Sequence, residues 1–401
     1  MRDLKPILKT IKVRLMGPAL LALQIAVTFT ILVNAFFMIE QKEAMISKPS
    51  GVDEANIFRV LSNQPFPKEE YEARLDETIE AIRSIPGVQA VSMLNTLPLA
   101  GFGTYDELTR TPEGRRETWT ATFMGSTDAY QTLGLELVAG QGFTKQDEIT
   151  VAFEAQSHPS DVLVTRALAE KLYPDNWEEA LGKTIYLTMI PHQIKGILAE
   201  MNGPWGTWFA AKISVLKPVR DANEVLPLAV RAEPGEIDVV MERVKEYLLK
   251  TPRRQITYLD KFVDIKAKNY QRESAALNTL WIVLLGLTFV TALGIFGQSR
   301  FAIMKRRKQI GVRRALGASQ WHVLRYFLTE NAIVTSIGIL FGCVFAIVLN
   351  QYTVSHFEFN LIPAGYFVFG AAFCLVLGQV GVLVPALQAS RLSPAIATRT
   401  V

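Results

Sequence analysis

Hydrophobic and polar positions divide this chain into long alternating blocks. Four charge-free apolar stretches, at 15–39, 274–299, 331–351 and 366–390, are each about long enough to cross a bilayer as a helix. Between the first and second, the pattern shortens to the periods of a water-soluble α/β domain. Residues 56–63 alternate weakly and predict a strand. Helical periodicity follows over 68–84, through Tyr71, Leu75, Ile79 and Ile82, and stops at Pro86-Gly87 before an apolar strand at 88–94. A second series of the same kind runs through a strand at 226–231, a turn at Glu233-Pro234-Gly235, a helix at 237–250 and a strand at 255–259. The intervening part predicts short glycine-punctuated strands at 136–139, 162–165, 184–188 and 194–198, and one short helix at 166–173 that breaks at Pro174.

The expected fold class is therefore a membrane α-helical protein, four spans arranged one plus three, with a large α+β domain inserted between the first two spans. The boundaries read as 1–14, 15–39, 40–273, 274–299, 300–328, 329–351, 352–365, 366–390 and 391–401. Within the inserted domain, one lobe is expected from 48–100 and 200–260, with a second lobe, 101–199, spliced into it. Residues 38–47 should extend the first span outward, and 260–274 should run as a helix straight into the second.

Charge sets the orientation. Residues 40–273 carry 27 Lys/Arg and 35 Asp/Glu, a balance of −8, whereas the remainder carries 15 and 3, a balance of +12; the two sum to the net +4. The basic excess sits in the N-terminal segment (Arg2, Lys5, Lys9, Lys12, Arg14), in the link after the second span (Arg300 to Arg325) and in the tail (Arg391, Arg399), and none falls in 352–365. By the positive-inside rule both termini and the link are expected in the cytoplasm, with the large domain outside. The first apolar core, about 23 residues, exceeds the 7–15 of a signal-peptide core, so an uncleaved anchor is expected. Both cysteines, Cys343 and Cys374, fall within spans and read as small packing residues.

Catalytic chemistry is hard to find. The four histidines are scattered without a second ligand at metal spacing, so no metal site is expected. No Gly-x-Ser-x-Gly elbow occurs. Gly182-Lys183-Thr184 resembles the end of a phosphate-binding loop, but Trp177 stands where a glycine is needed, so no nucleotide site is expected in this chain. Nothing points to nucleic acid. The polar residues inside the spans, Gln24, Thr28, Asn34 and Gln379, suit bonds across helix interfaces better than an ion path, which would place charges at that depth. Gly338-x-x-x-Gly342 and Gly378-x-x-Gly381 suit close helix packing.

The segment 300–325 combines basic residues with Ile310-Gly311 and Ala315-Leu316-Gly317-Ala318, small and apolar groups set between charges. Binding of anionic membrane lipid explains the charges but not those residues. From Arg306 to Ser319 the stretch resembles the cytoplasmic loop of the MacB/FtsX/LolC-type permeases of the mechanotransmission (type VII) ABC superfamily. Their pattern is Arg-x-x-Glu-Ile-Gly-ϕ-Arg-Arg-Ala-ϕ-Gly-Ala-Ser, and Gln309 here replaces its acidic residue. Pro385 to Pro394 resembles the family's closing motif. Pro86-Gly87-Val88, Leu97-Pro98-Leu99, the run from Leu133 to Phe143, and Val162 to Leu172 followed by Leu181-Gly182-Lys183-Thr184 resemble its extracytoplasmic domain, with porter-like and sabre-like lobes.

The resemblance implies a permease that is not itself an enzyme, working as a homo- or heterodimer in the bacterial inner membrane. ATP and Mg would be bound by a separate ABC ATPase subunit. The ATPase-coupling contact would comprise Arg306, Gln309, Ile310, Gly311, Arg313, Arg314, Ala315, Gly317 and Ala318. A periplasmic adaptor and a TolC-like outer-membrane channel are further implied partners, and Trp205, Trp208 and Phe209 are a candidate partner contact outside, since aromatics are enriched at interface hot spots. Export of a peptide, antibiotic-like or amphipathic substrate, release of lipoproteins, and transmission of a signal all remain open at this level.

Overall fold

The computed structural model describes residues 15–151, 158–357 and 361–391. The basic N-terminal segment before Leu15 and the tail after Arg391, including Pro394 and Arg399, lie outside the described residues, as does part of the 352–365 connection. The chain divides into two compact units, Lys48–Arg272 on one hand and the remaining segments on the other.

Helix α1 (Met16–Ser47) extends eight residues past the apolar stretch. In the inserted unit, β1 (Ile57–Asn63), α2 (Tyr71–Arg83) and β2 (Val88–Met93) open the first lobe. The chain then enters the second lobe with β3 (Thr104–Thr109), β4 (Thr118–Met124), the single turn α3 (Ala129–Thr132), β5 (Leu137–Gly140), β6 (Ile149–Val151), β7 (Ser160–Thr165), α4 (Arg166–Leu172), β8 (Thr184–Leu187), β9 (Ile190–Leu198), β10 (Ser214–Lys217) and β11 (Val219–Asp221). It returns through β12 (Val225–Ala232), α5 (Ile237–Leu249) and β13 (Ile256–Lys261).

The first lobe is a four-stranded sheet in the order β13-β1-β12-β2, with neighbouring strands antiparallel. Leu75, Ile79 and Ile82 of α2 and Val240, Val244 and Leu248 of α5 recur at helical spacing and bury against Phe58, Val60, Val91 and Val230. This small core explains why the two halves, distant in sequence, come together. The second sheet runs β5-β9-β7-β10-β4-β3-β8, and β8 also pairs with β9, so six strands close into a barrel. Strand β10 lies between β7 and β4 of this sheet. Residues 214–217, assigned by sequence to the first lobe, thus belong to the second: a buried Ser-Val-Leu-Lys strand has no local signal saying which sheet it joins. Arg220 of β11 ties the lobes together, bonding Glu148 at 3.0 Å and Asp76 of α2 at 2.5 Å.

After β13, helix α6 (Phe262–Asn269) ends at Tyr270, whose φ of −93° and ψ of 13° leave the helical path, and α7 (Gln271–Lys305) begins anew. The expected uninterrupted helix over 260–274 is therefore corrected: its first residues complete β13, and Tyr270 breaks the rest. The membrane unit continues with α8 (Arg307–Ala315), α9 (Gln320–Phe357) and α10 (Ala364–Ser390). Helices α1, α7, α9 and α10 are long and apolar enough to cross a membrane. Gly338 and Gly342 of α9 face α1, where an added Cβ would lie 2.7 Å from the Ala22 carbonyl oxygen and 2.9 Å from Phe29 Cβ. Gly378 and Gly381 of α10 stand equally close to Thr335 of α9 and Ile295 of α7. The polar residues of α1 bond to two neighbouring helices: Thr28 to Thr291 of α7 at 2.8 Å, and Asn34 to the Ala346 carbonyl of α9 at 3.4 Å. Cys343 is half-buried in α9 and Cys374 buried in α10; both are free.

Candidate functional site

The residues singled out between the second and third spans form a capped helical elbow. Arg306 leaves the α7 path, with φ −105° and ψ 7°, and starts α8. Gly317 ends it with φ +96°, a conformation that costs glycine nothing. The Gly317 amide donates to the Arg314 carbonyl at 3.1 Å and the Ala318 amide to that of Arg313 at 3.0 Å, the Schellman arrangement that satisfies the last carbonyls of a helix. Ser319 then caps α9, its Oγ accepting from the His322 amide at 3.1 Å. The elbow is thus closed at both ends by its own sequence.

Its inner face is bound to α9. Arg306 donates two hydrogen bonds to Glu330, at 2.6 and 2.9 Å, with the two side chains only 9% and 12% exposed. Ile310 and Gly311 are buried, and Ile310 borders a narrow groove shared with Val323 and Phe327. The Arg313 guanidinium lies 5.1 Å from the centre of the Tyr326 ring, and Arg314 donates to the Ala318 carbonyl at 3.0 Å. Of the expected ATPase-coupling contact, Arg306 and Ile310 are turned toward α9, because a 3.6-residue repeat puts 306, 310 and 313 on one side of α8, and Gly311 is also buried. Gln309, Arg313, Ala315 and Gly317 are exposed, and Arg314 and Ala318 half-buried. Two apolar residues outside the expected set stand out: Val312, 51% exposed, and Leu316, 82% exposed. An apolar residue two positions from the inward Ile310, on an otherwise charged helix, was the signal that could have found them.

The aromatic loop of the inserted unit is anchored at its root. Trp205 donates from Nε1 to the Gly101 carbonyl at 2.9 Å, and its ring meets Tyr105 and Trp208 edge-on. Asn269 donates to the Leu99 and Pro204 carbonyls at 2.8 and 3.0 Å and accepts from the Gly206 amide at 3.1 Å, so one side chain fixes the loop to α6. Trp205 and Trp208 are half-buried, folded back onto the lobe, and Phe209 alone of the three stands clear, 71% exposed.

A buried polar cluster inside the barrel escaped the sequence reading. Lys217 lies 3.6 Å from Asp106, which accepts from Thr122 at 2.7 Å and from Thr188 at 2.9 Å. Burial pushes Lys217 below the usual lysine range, and Asp106 offsets part of that. His192, 1% exposed, bonds Ser160 through Nδ1 at 3.2 Å. Burial and the Lys217 charge lower its pKa to about 4, so it is neutral at physiological pH.

A family model described as the MacB-like periplasmic core domain matches residues 19–247, and one described as the FtsX-like permease C-terminal matches 281–394. The chain belongs to the MacB/FtsX-type ABC transporter permeases. It is a membrane protein whose inserted unit is an extracytoplasmic MacB-like domain of mixed helix and sheet. Among its relatives is the macrolide export ATP-binding/permease protein MacB of Chromobacterium violaceum, 23% identical over 67% of this chain and 41% of that protein. Another is the uncharacterized ABC transporter permease YvrN of Bacillus subtilis strain 168, 24% identical over 88% of this chain and 85% of that one. The crystal structure of the periplasmic region of MacB from Actinobacillus actinomycetemcomitans aligns at 12% identity with a TM-score of 0.36, covering 56% of this chain and 97% of that structure. The chain spans about two fifths of the length of the MacB relative.

Proposed function

We propose that this permease serves an ATP-driven mechanotransmission exporter in the inner membrane of a bacterium, with the elbow and both termini in the cytoplasm. A separate ATPase subunit binds ATP and Mg and engages the elbow. A second permease copy completes the transporter, and the extracytoplasmic domain works with an adaptor and a TolC-like channel to move an amphipathic substrate outward from the periplasm. The carrying observation is the outer face of α8: Val312 and Leu316 project from a helix whose inner face is bonded to α9, so a load applied there is delivered to a membrane helix rather than absorbed by a flexible loop. A relative named for macrolide export supports the direction and substrate class. The YvrN relative, named as a permease and covered over most of its length, supports an ATPase on its own polypeptide.

The test is Val312→Glu with Leu316→Glu, in the permease co-expressed with its ATPase. Both side chains are exposed, so membrane insertion and thermal stability should stay at wild-type values while permease-dependent stimulation of ATP hydrolysis disappears. Full stimulation by the double variant would overturn the coupling assignment.

A further inference from the structure

The membrane unit contains a space that neither helix packing nor the elbow uses. A cavity of about 370 Å³ lies among α1, α7, α9 and α10, with Leu20, Phe301, Val334 and Val382 among its apolar walls. Gln298 and Asn331 also line it, and Lys305, Arg306 and Glu330 mark its charged end. Gln298 precedes Lys305 by seven residues on α7, a drop of roughly 10 Å along the helix axis.

The polar groups are incompletely satisfied. Asn331 is buried, yet among the described residues neither its Nδ2 nor its Oδ1 has a hydrogen-bond partner, and Gln298 Oε1 is likewise buried and unpaired. Leaving such atoms unpaired is costly, because each has given up its hydrogen bonds to water with nothing in return. The charged end has a cation to spare: Glu330 is held by Arg306, and among the described residues no carboxylate pairs with Lys305, whose Nζ sits 4.3 Å from the Phe301 ring centre. A second space, about 530 Å³ and lined only by apolar residues, adjoins the first at Pro18 and Val334 and follows α1 and α9 as far as Ala26 and Phe345. That is about eleven residues, or ~16 Å, of greasy groove leading away from a polar, cationic pocket.

We propose that these two spaces form one binding site for an anionic phospholipid with a hydroxylated headgroup, the chemistry of phosphatidylglycerol. Its phosphate meets Lys305. Beside it, Asn331 Nδ2 donates to a phosphate oxygen and a headgroup hydroxyl donates to Asn331 Oδ1, while deeper in the membrane one water donates to both an ester carbonyl and Gln298 Oε1. One acyl chain lies in the α1–α9 groove. The bound lipid would sit directly behind the Arg306–Glu330 pair that fastens the elbow.

The full-length permease, purified in detergent and incubated with mixed micelles of phosphatidylglycerol or phosphatidylcholine, can be examined by native mass spectrometry. Wild-type chains should retain one phosphatidylglycerol under conditions that strip phosphatidylcholine. Gln298→Leu with Asn331→Leu should reduce retention about tenfold or more, as expected for losing two or three hydrogen bonds. Leu20→Trp, which fills the cavity from a partly exposed position and keeps every polar group, should do the same and decides the matter if the double variant does not fold. Equal retention of the two lipids by wild type, no retained lipid, or unchanged retention in the variants would each overturn the proposal.

Discussion

Replacing Glu330 by Gln tests how the elbow is held. Glu330→Gln preserves shape but leaves the Arg306 guanidinium, nine-tenths buried, without its counter-charge. Breaking a buried pair from one side costs about 3–5 kcal/mol. A bidentate geometry belongs at the stronger end, whereas a site near the membrane surface is partly relieved by water. The other attachments of α8 are the burial of Ile310, worth about 2 kcal/mol, and the Arg313–Tyr326 stacking, worth about 1 kcal/mol. A nine-residue helix has little stability of its own. The pair is therefore about half of what holds the elbow, and its loss should lower the local opening free energy by about 3 kcal/mol. Amide hydrogen exchange across 307–318, measured on the full chain in detergent, should accelerate roughly 150-fold. The half-exposed pair Arg74–Glu77 supplies the comparison, since Glu77→Gln should change exchange in α2 by less than about fivefold. Replacing both Arg306 and Glu330 by Met should restore most of the protection, because an apolar pair leaves no buried charge. Acceleration of α8 no greater than that of α2 would refute the view that this pair carries the elbow.

Gly342→Leu should sharply reduce the yield of folded protein, since even a Cβ there meets Phe29 at 2.9 Å and the Ala26 carbonyl at 3.0 Å; overpacking of about 1–3 kcal/mol or more would show as a lower unfolding temperature in detergent. His192 makes stability depend on pH. Its folded pKa of about 4 lies below the unfolded 6.5, so the unfolded chain takes up the proton first. Stability is complete above pH 6.5 and falls as pH drops toward 4, by about 3 kcal/mol in all. His192→Gln should flatten that part of a calorimetric pH profile, and an unaltered slope would assign it to other groups.

The long-range plan of the chain was legible because its signals are strong and local. Four charge-free stretches mark the spans, and Leu75, Ile79 and Ile82 with Val240, Val244 and Leu248 advertise two helices that share a sheet. The barrel was less visible. Its strands β3 and β4 are rich in Thr and carry charge, and Thr122 and Asp106 face inward, bonded to each other, so low hydropathy hid a buried surface. The break at Tyr270 involves neither glycine nor proline, and nothing in the local pattern announces it. In the elbow the motif located the site but not its facing. Which side of α8 turns inward depends on Val323, Phe327 and Glu330, residues of the following helix.

The placement of sulfur has a practical side. Cys343 and Cys374 both sit in membrane helices, and the sequence has no other cysteine. Assembly of the extracytoplasmic domain therefore owes nothing to oxidative folding enzymes, and its shape is indifferent to the redox state around it. A thiol introduced at an exposed position from Lys48 to Arg272 would be alone in that unit, ready for a maleimide spin label or fluorophore with both native cysteines left in place.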